Sequence, residues 1–452
     1  GLGDVYKRQI LLLSGDTFAN RLPDPVLQQV ENFQNPTMTV TDAFQAFTRY
    51  WDRINRPEQL ISSLPQMVAT LLDPADCGPV FLALPQDIQA EAFDYPEVFF
   101  EKTVHQIPRP RPDRNSIAEA ATILRNAKKP LIISGGGVFY SGAVSELVSF
   151  AETFNIPVVE TIAGRSAMLH NHPHNAGPLG VIGSSSANML AEEADVVVAV
   201  GTRLQDFTTG SWSVFGNEQM RLIAINAARY DAHKHRALSV VGDALAGIEE
   251  LGQALEGWTA PAPWISQLRS LYAEWHTTVE QHSGPTTDVP PSYAHVIGAV
   301  SRVCDETDLA LTAAGGFPGE LCKNWKTKSS GTFDCEFGFS CMGYEIAGGW
   351  GAKMADPDRD VIVFVGDGSY LMMNSDIYSS VLPGHKLNVV LCDNGGYSII
   401  NRLQNFGGGV SFNNQIADSK VERVQYVDFV QHATSMGALG EQVESTVELQ
   451  HA

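Results

Sequence analysis

The sequence predicts an α/β protein built from three doubly wound parallel sheets, the first and the last incomplete. Three observations predict it. Apolar runs of strand length alternate with stretches long enough for helices. Several of those runs end directly in glycine turns, and proline-rich seams separate three blocks. The bulk numbers agree: 452 residues suffice for two to three domains, and 44% hydrophobic with 18% charged residues is an ordinary globular composition.

The first block is expected over residues 10–107. Ile10–Leu13 reads as a short buried strand, two helical stretches follow, and Pro79–Leu84 ahead of Pro85 reads as a buried parallel strand. The polar stretch Gly1 to Gln9 reads as an added or read-through segment rather than a signal peptide, because a longer apolar core and a small-residue cleavage site are missing. A Pro- and Arg-rich linker, Pro108 to Arg114, leads to the second block, 115–255. Its strands are expected at Pro130–Gly135, Ile156–Glu160, Asp195–Gly201 and Arg221–Asn226, a Rossmann-like series. The third block, 290–452, carries strand-like runs at Leu309–Ala313, Asp360–Val365 and Leu387–Cys392, with Tyr370–Leu382 of a length for one crossover helix.

The formal net charge of −21 argues against a general affinity for nucleic acid or anionic lipid, although backbone N–H groups and a bound cation can still make a local anion site. No apolar run approaches the ~20 residues that cross a bilayer. Six cysteines without C-x-x-C spacing read as reduced thiols of a cytoplasmic protein.

The chemistry is carried by two loops. Gly366-Asp367-Gly368-Ser369 follows one apolar strand and Asp393-Asn394-Gly395-Gly396 follows the next, with Asp367 and Asn394 separated by 27 positions. In a parallel sheet both loops fall at the carboxyl ends of neighbouring strands, where ligands bind. Asp367 offers a charged oxygen, Asn394 a neutral one, and the Gly395-Gly396 turn a main-chain carbonyl. Mg²⁺ takes about six oxygens and shares them with phosphates, so three protein oxygens plus a diphosphate suit it. Gly366 and Gly368 permit close backbone approach, and the N–H groups of Ser369 and Tyr370 can face phosphate oxygens. The plainer reading is a tight turn, which the paired strands and the second polar loop disfavour.

The segment from Gly366 to Asn394 resembles the signature of thiamine-diphosphate enzymes, and the three blocks are similar to that family's pyrimidine-binding, central and diphosphate-binding domains in order. The resemblance implies thiamine diphosphate and Mg²⁺ as cofactors, with Asp367, Asn394 and the carbonyl of Gly396 as metal ligands. It implies Gly366, Gly368, Ser369 and Asn394 at the cofactor, with Gly315 and Gly316 in a second diphosphate-contacting loop, Ala313–Gly316. Met342, within Ser340–Tyr344, matches the apolar residue that holds the two cofactor rings in a V. Plain core packing is the alternative for that side chain. The resemblance further implies a small-molecule substrate and a homodimer or homotetramer with the cofactor between subunits.

Within the family, Thr37–Phe44, Phe47–Trp51, Gly180–Ser185 and Asp206–Trp212 are similar to members that open a cyclic 1,2-dione hydrolytically. The alternatives are a carboligase or decarboxylase acting on pyruvate, or a catalytically silent nucleotide-binding relative.

Other constellations are weaker. His170, His172 and His174 could be metal ligands, but Pro173 and their alternate spacing suit a turn. Ser134–Gly137 with Glu160 hints at a dinucleotide fold, yet position 140 is Tyr where a third glycine is needed. Gly201–Arg203 and Thr208–Gly210 resemble flavin-contacting stretches of related enzymes. No nucleophile elbow or P-loop motif occurs. The catalytic residue is unassigned: the family's activating glutamate is expected before the Ile10–Leu13 strand, no Glu stands there, and neither Glu31 nor Glu58 is a reasoned substitute. This 452-residue chain is therefore expected to bind cofactor poorly and to turn over slowly or not at all, an expectation that measurable steady-state turnover would contradict.

Overall fold

A computed structural model describes residues 9–20, 22 and 24–452, and the polar stretch ahead of Gln9 lies outside the described residues. The chain divides into two compact units, one ending at Pro110 and the other running from Arg111 to Ala452.

The first unit holds a three-stranded parallel sheet of β1 (Leu11–Asp16), β2 (Tyr50–Arg53) and β3 (Val80–Pro85), in the order β1-β3-β2. β3 is central and buried, as its unbroken apolar run requires, and packs with Ile54 and Met67. β1 corrects the sequence expectation. It is an edge strand, with Leu11 45% and Leu13 60% exposed, because among the described residues only β3 pairs with it. β2 was not expected, since Tyr-Trp-Asp-Arg carries no apolar run; β3 recruits it on its free side. One of the two expected helical stretches is a 3-10 helix, Val40–Phe47, and the other an α-helix, Leu60–Leu72. Arg53 ties this unit's strand ends together, donating to Asp16 at 2.7 Å and to Asp42 at 2.5 Å.

The second unit contains two sheets. The larger has six parallel strands: β4 (Pro130–Ser134), β5 (Val158–Glu160), β6 (Asn175–Pro178), β7 (Val196–Val200), β8 (Arg221–Asn226) and β9 (Leu238–Val241). Their order, β6-β5-β4-β7-β8-β9, places the topological switch between β4 and β7. Apolar side chains of alternate strand positions feed two cores, one on each face. The four expected strands are present. β6 and β9 were missed because Asn-Ala-Gly-Pro and Leu-Ser-Val-Val are too short or too polar to register as strands alone.

At the switch point the glycine turn is closed by backbone. Gly135 and Gly137 donate their N–H groups to the carbonyls of Val200 and Gly201, both at 2.9 Å. A Cβ on Gly135 would lie 2.4 Å from the Gly201 oxygen, so glycine is needed here for chain-to-chain packing. Glu160 is likewise committed. It is fully buried, accepts from Arg165 at 2.7 Å and from the Met168 N–H at 3.0 Å. Gly135, Gly137 and Glu160, which hinted at a dinucleotide site, are thus spent on internal contacts.

Arg165 joins this sheet to the smaller one. Its other guanidinium donors reach the carbonyls of Cys322 at 3.1 Å and Trp325 at 2.9 Å, at the end of the helix Phe317–Asn324.

The smaller sheet consists of β10 (Leu309–Thr312), β11 (Phe333–Cys335), β12 (Val361–Gly366) and β13 (Asn388–Cys392), all parallel, in the order β11-β10-β12-β13. β11, only Phe-Asp-Cys, was not expected. The single crossover helix expected over Tyr370–Leu382 is instead two short helices, Asp367–Met372 and Asp376–Val381. Asn374 and Ser375 stand at the break, and such side chains compete for backbone hydrogen bonds in helix interiors.

The buried ion pair makes a testable prediction. Glu160→Gln leaves the Arg165 charge buried without its anion and should lower the stability of the second unit by about 3–5 kcal/mol, read from the urea unfolding midpoint.

Candidate functional site

The parallel register gathers three loops at one edge of the smaller sheet. Gly366 at the end of β12 lies opposite Cys392 at the end of β13, so Asp367 and Asn394 emerge side by side. β10 flanks β12 on the other side and delivers Ala313–Gly316 to the same edge.

Asp367 is buried at the start of its short helix. Its Oδ2 accepts from the Gly396 N–H at 2.8 Å and its Oδ1 from the Asn394 N–H at 3.4 Å. Burial pushes this carboxyl up from its ordinary value, and the Gly396 and Asn394 amides pull it back. The Asn394 side chain is held at both ends. Its Nδ2 donates to the Tyr293 hydroxyl at 2.8 Å, and its Oδ1 accepts from Ser398 Oγ at 2.6 Å. Burial raises the Tyr293 phenol to about 12, so it remains neutral. The ring of Tyr293 stacks on Phe317, with centroids 4.4 Å apart, and covers Gly316, where a Cβ would lie 2.4 Å from it.

Along the same edge Gly315 has φ +81 and no atom within 4 Å of where a Cβ would stand; Gly395, at φ +73, is equally open. Both positions combine a left-handed backbone with free space, as a backbone cradle for an anion requires. Met342 lies beside the Gly-Asp-Gly turn, its methyl carbon 3.6 Å from the Cβ position of Gly368. Ser369 is buried, and its hydroxyl accepts from the Gly343 N–H at 2.8 Å.

Every site residue named from the sequence therefore lies in or beside these loops. The oxygens that could hold a cation are those of Asp367, Asn394 and the Gly396 carbonyl. Among the described residues no cluster of three or more His, Cys, Asp or Glu could hold a metal by itself. A cation at Asp367 needs oxygens from a ligand as well, which is the pattern of Mg²⁺ shared with a diphosphate. The residues fit that group.

Sequence reasoning missed Tyr293, Ser398 and Glu345. Glu345 is fully buried and accepts from the N–H groups of Ala314 and Gly343 and from Ser369 Oγ. Its one signal was a charge in the otherwise apolar run Tyr344–Trp350.

The three histidines do not form a centre. His170 Nδ1 faces the Thr327 carbonyl at 3.0 Å, His172 Nε2 faces Glu152 at 3.1 Å, and His174 Nε2 faces Asn155 at 3.4 Å. Cys304, Cys322, Cys335 and Cys392 are free thiols, and burial raises Cys392, beneath the site, to about 12, which keeps it an unreactive thiol.

Tyr293 orients the side-chain amide of Asn394. Tyr293→Phe should weaken Mg²⁺-dependent binding of thiamine diphosphate on the order of 10-fold, measured by calorimetry across a Mg²⁺ series.

Comparison with known proteins agrees with this geometry. Residues 117–251 match the thiamine pyrophosphate enzyme central domain, and residues 313–452 match the thiamine pyrophosphate enzyme C-terminal TPP binding domain. The chain is 40% identical to the 3D-(3,5/4)-trihydroxycyclohexane-1,2-dione hydrolases of Bacillus cereus (strain AH820), Bacillus anthracis (strain CDC 684 / NRRL 3495) and Bacillus thuringiensis (strain Al Hakam). Each alignment covers 98% of this chain and 73% of the relative. The chain belongs to the thiamine pyrophosphate enzyme family that includes these hydrolases.

Proposed function

We propose that the protein hydrolyses a carbon–carbon bond of trihydroxycyclohexane-1,2-dione, using thiamine diphosphate and Mg²⁺, in the degradation of myo-inositol. The observation that carries this reading is the convergence of Asp367, Asn394 and Gly396 on one sheet edge, in a chain 40% identical to such hydrolases over 98% of its length. Overall, one water adds across the bond between the two carbonyl carbons. The hydroxyl ends on one carbon as a carboxylate and the hydrogen on the other as an aldehyde, the functional groups of a 5-deoxy-glucuronate.

Bound thiamine diphosphate supplies a carbanion and an electron sink for C–C cleavage. The chain's own residues hold and orient it. Asp367, the Asn394 side-chain oxygen and the Gly396 carbonyl would ligate Mg²⁺, with Tyr293 and Ser398 fixing the Asn394 amide. Gly315, Gly316, Gly366, Gly368 and the Ser369 N–H are assigned to the diphosphate, with open space above Gly315 and no close contact at Gly366, while the rings of Tyr293 and Tyr397 stand over Gly316 and Gly368. Met342 offers an apolar surface beside the turn for the cofactor rings. The pyrimidine-binding, central and diphosphate-binding domains are assigned to 10–107, 115–255 and 290–452. No helix among the described residues is long and apolar enough to cross a membrane. A cytoplasmic homodimer or homotetramer, with the cofactor between subunits, completes the reading.

The test is ring opening of the dione by the full-length protein, with and without thiamine diphosphate and Mg²⁺. Turnover should require both, and Asp367→Ala should lower it at least about 100-fold, beyond the loss typical of an outer-shell partner. Consumption of pyruvate with the dione untouched would replace the substrate assignment by a carboligase or decarboxylase. Failure to bind thiamine diphosphate would overturn the site.

A further inference from the structure

A carboxylate with no exposed surface normally has a cation beside it or gives up its charge. Glu345 has neither solvent nor an ion pair among the described residues, and only N–H and O–H donors surround it. Its Oε1 accepts from the Ala314 N–H at 3.1 Å. Its Oε2 accepts from the Gly343 N–H at 2.9 Å and from Ser369 Oγ at 2.8 Å. It also occupies the first turn of the helix Tyr344–Ala355, where the helix dipole favours negative charge. Three donors thus satisfy both oxygens of the buried carboxyl group.

The three donors come from three different loops. Ala314 precedes Gly315 and Gly316, Gly343 follows Met342, and Ser369 closes the Gly-Asp-Gly turn. No other side chain described at this edge bonds to all three. Gly343 is also locked from its far side. Its φ is +90, and a Cβ there would lie 2.3 Å from Met373 Cγ. With Gly343 fixed between the Glu345–Ser369 pair and Met373, Met342 has a fixed place against Gly368.

We infer that Glu345 is a positioning residue for the cofactor site, a buried anion that sets the spacing of the two diphosphate-contacting loops and the Met342 turn. The inference rests on the thiamine-diphosphate reading of the site. Both carboxylate oxygens are needed as acceptors. In Glu345→Gln one oxygen becomes an amide NH₂, which faces a backbone N–H that it cannot accept from. One backbone donor then loses this acceptor while side-chain volume is kept, Gly343 retaining only the Ser369 hydroxyl.

The test is calorimetric titration of the full-length protein with thiamine diphosphate at saturating Mg²⁺, beside urea unfolding without cofactor. Glu345→Gln should raise the Kd about 10-fold or more, together with a drop in the cofactor-free unfolding midpoint from the buried donor left unpaired. Ser369→Ala, which keeps its N–H and removes only the hydroxyl, should raise the Kd several-fold. The double variant should bind no worse than Glu345→Gln alone, because both changes break one network. If Glu345→Gln does not fold, the Ser369→Ala titration decides the matter, and parent-like binding by it overturns the inference. Parent-like binding by Glu345→Gln overturns it equally, as does a fall in cofactor-free stability with unchanged Kd, which would make the role structural only. If the parent takes up no thiamine diphosphate, the reading of the site falls first and this inference with it.

Discussion

The pairing of β12 with β10 on one side and β13 on the other is the constraint from which the site follows. Parallel strands send their carboxyl ends the same way, so whatever follows those strands must meet at one edge. The register is held by burial. Val361, Val363 and Val365 face one core, while Ile362 and Phe364 face another. A one-residue slip would turn each set toward the wrong face. Apolar packing several residues away therefore fixes the distance between Asp367 and the Asn394 loop.

On that frame the polar groups do the finer work, and they follow one pattern. In each sheet a carboxylate is buried at or near a loop-bearing edge and is satisfied by donors from separate segments. Asp16 takes Arg53 in the first sheet, and Glu160 takes Arg165 and the Met168 amide in the second. Glu345 takes two amides and a hydroxyl in the third. A buried charge is costly when its partners are absent, so each arrangement penalises any other loop placement strongly. Hydrophobic burial alone could not do this, since it is non-directional.

The two sheets of the second unit put similar hardware to different ends. Both carry glycine turns after strands and an acidic residue nearby. In the six-stranded sheet the turn amides bond to Val200 and Gly201, and Glu160 is held by Arg165. In the four-stranded sheet Gly315 and Gly395 keep open space above a left-handed backbone, and Asp367 faces the neighbouring loop. Motif and spacing are nearly alike; what differs is whether a neighbouring segment already fills the turn.

The sequence by itself determined the α/β class, the central strands and the two loops of the site, because a buried parallel strand must be continuously apolar and a Gly-Asp-Gly turn after it is local. β3, β4, β7, β8 and β12 were legible for that reason, and β13 by its apolar run although it is a half-buried edge strand. Only the tertiary structure decided the rest. β2, β6 and β11 are strands because a neighbour pairs with them, not because Tyr-Trp-Asp-Arg, Asn-Ala-Gly-Pro or Phe-Asp-Cys favours the conformation. β1 carries an apolar run yet is half exposed, since burial depends on what covers a strand. The places of Tyr293 and Glu345 were hidden for a common reason. Each accepts from donors that lie many positions away in the chain and are brought close only by folding.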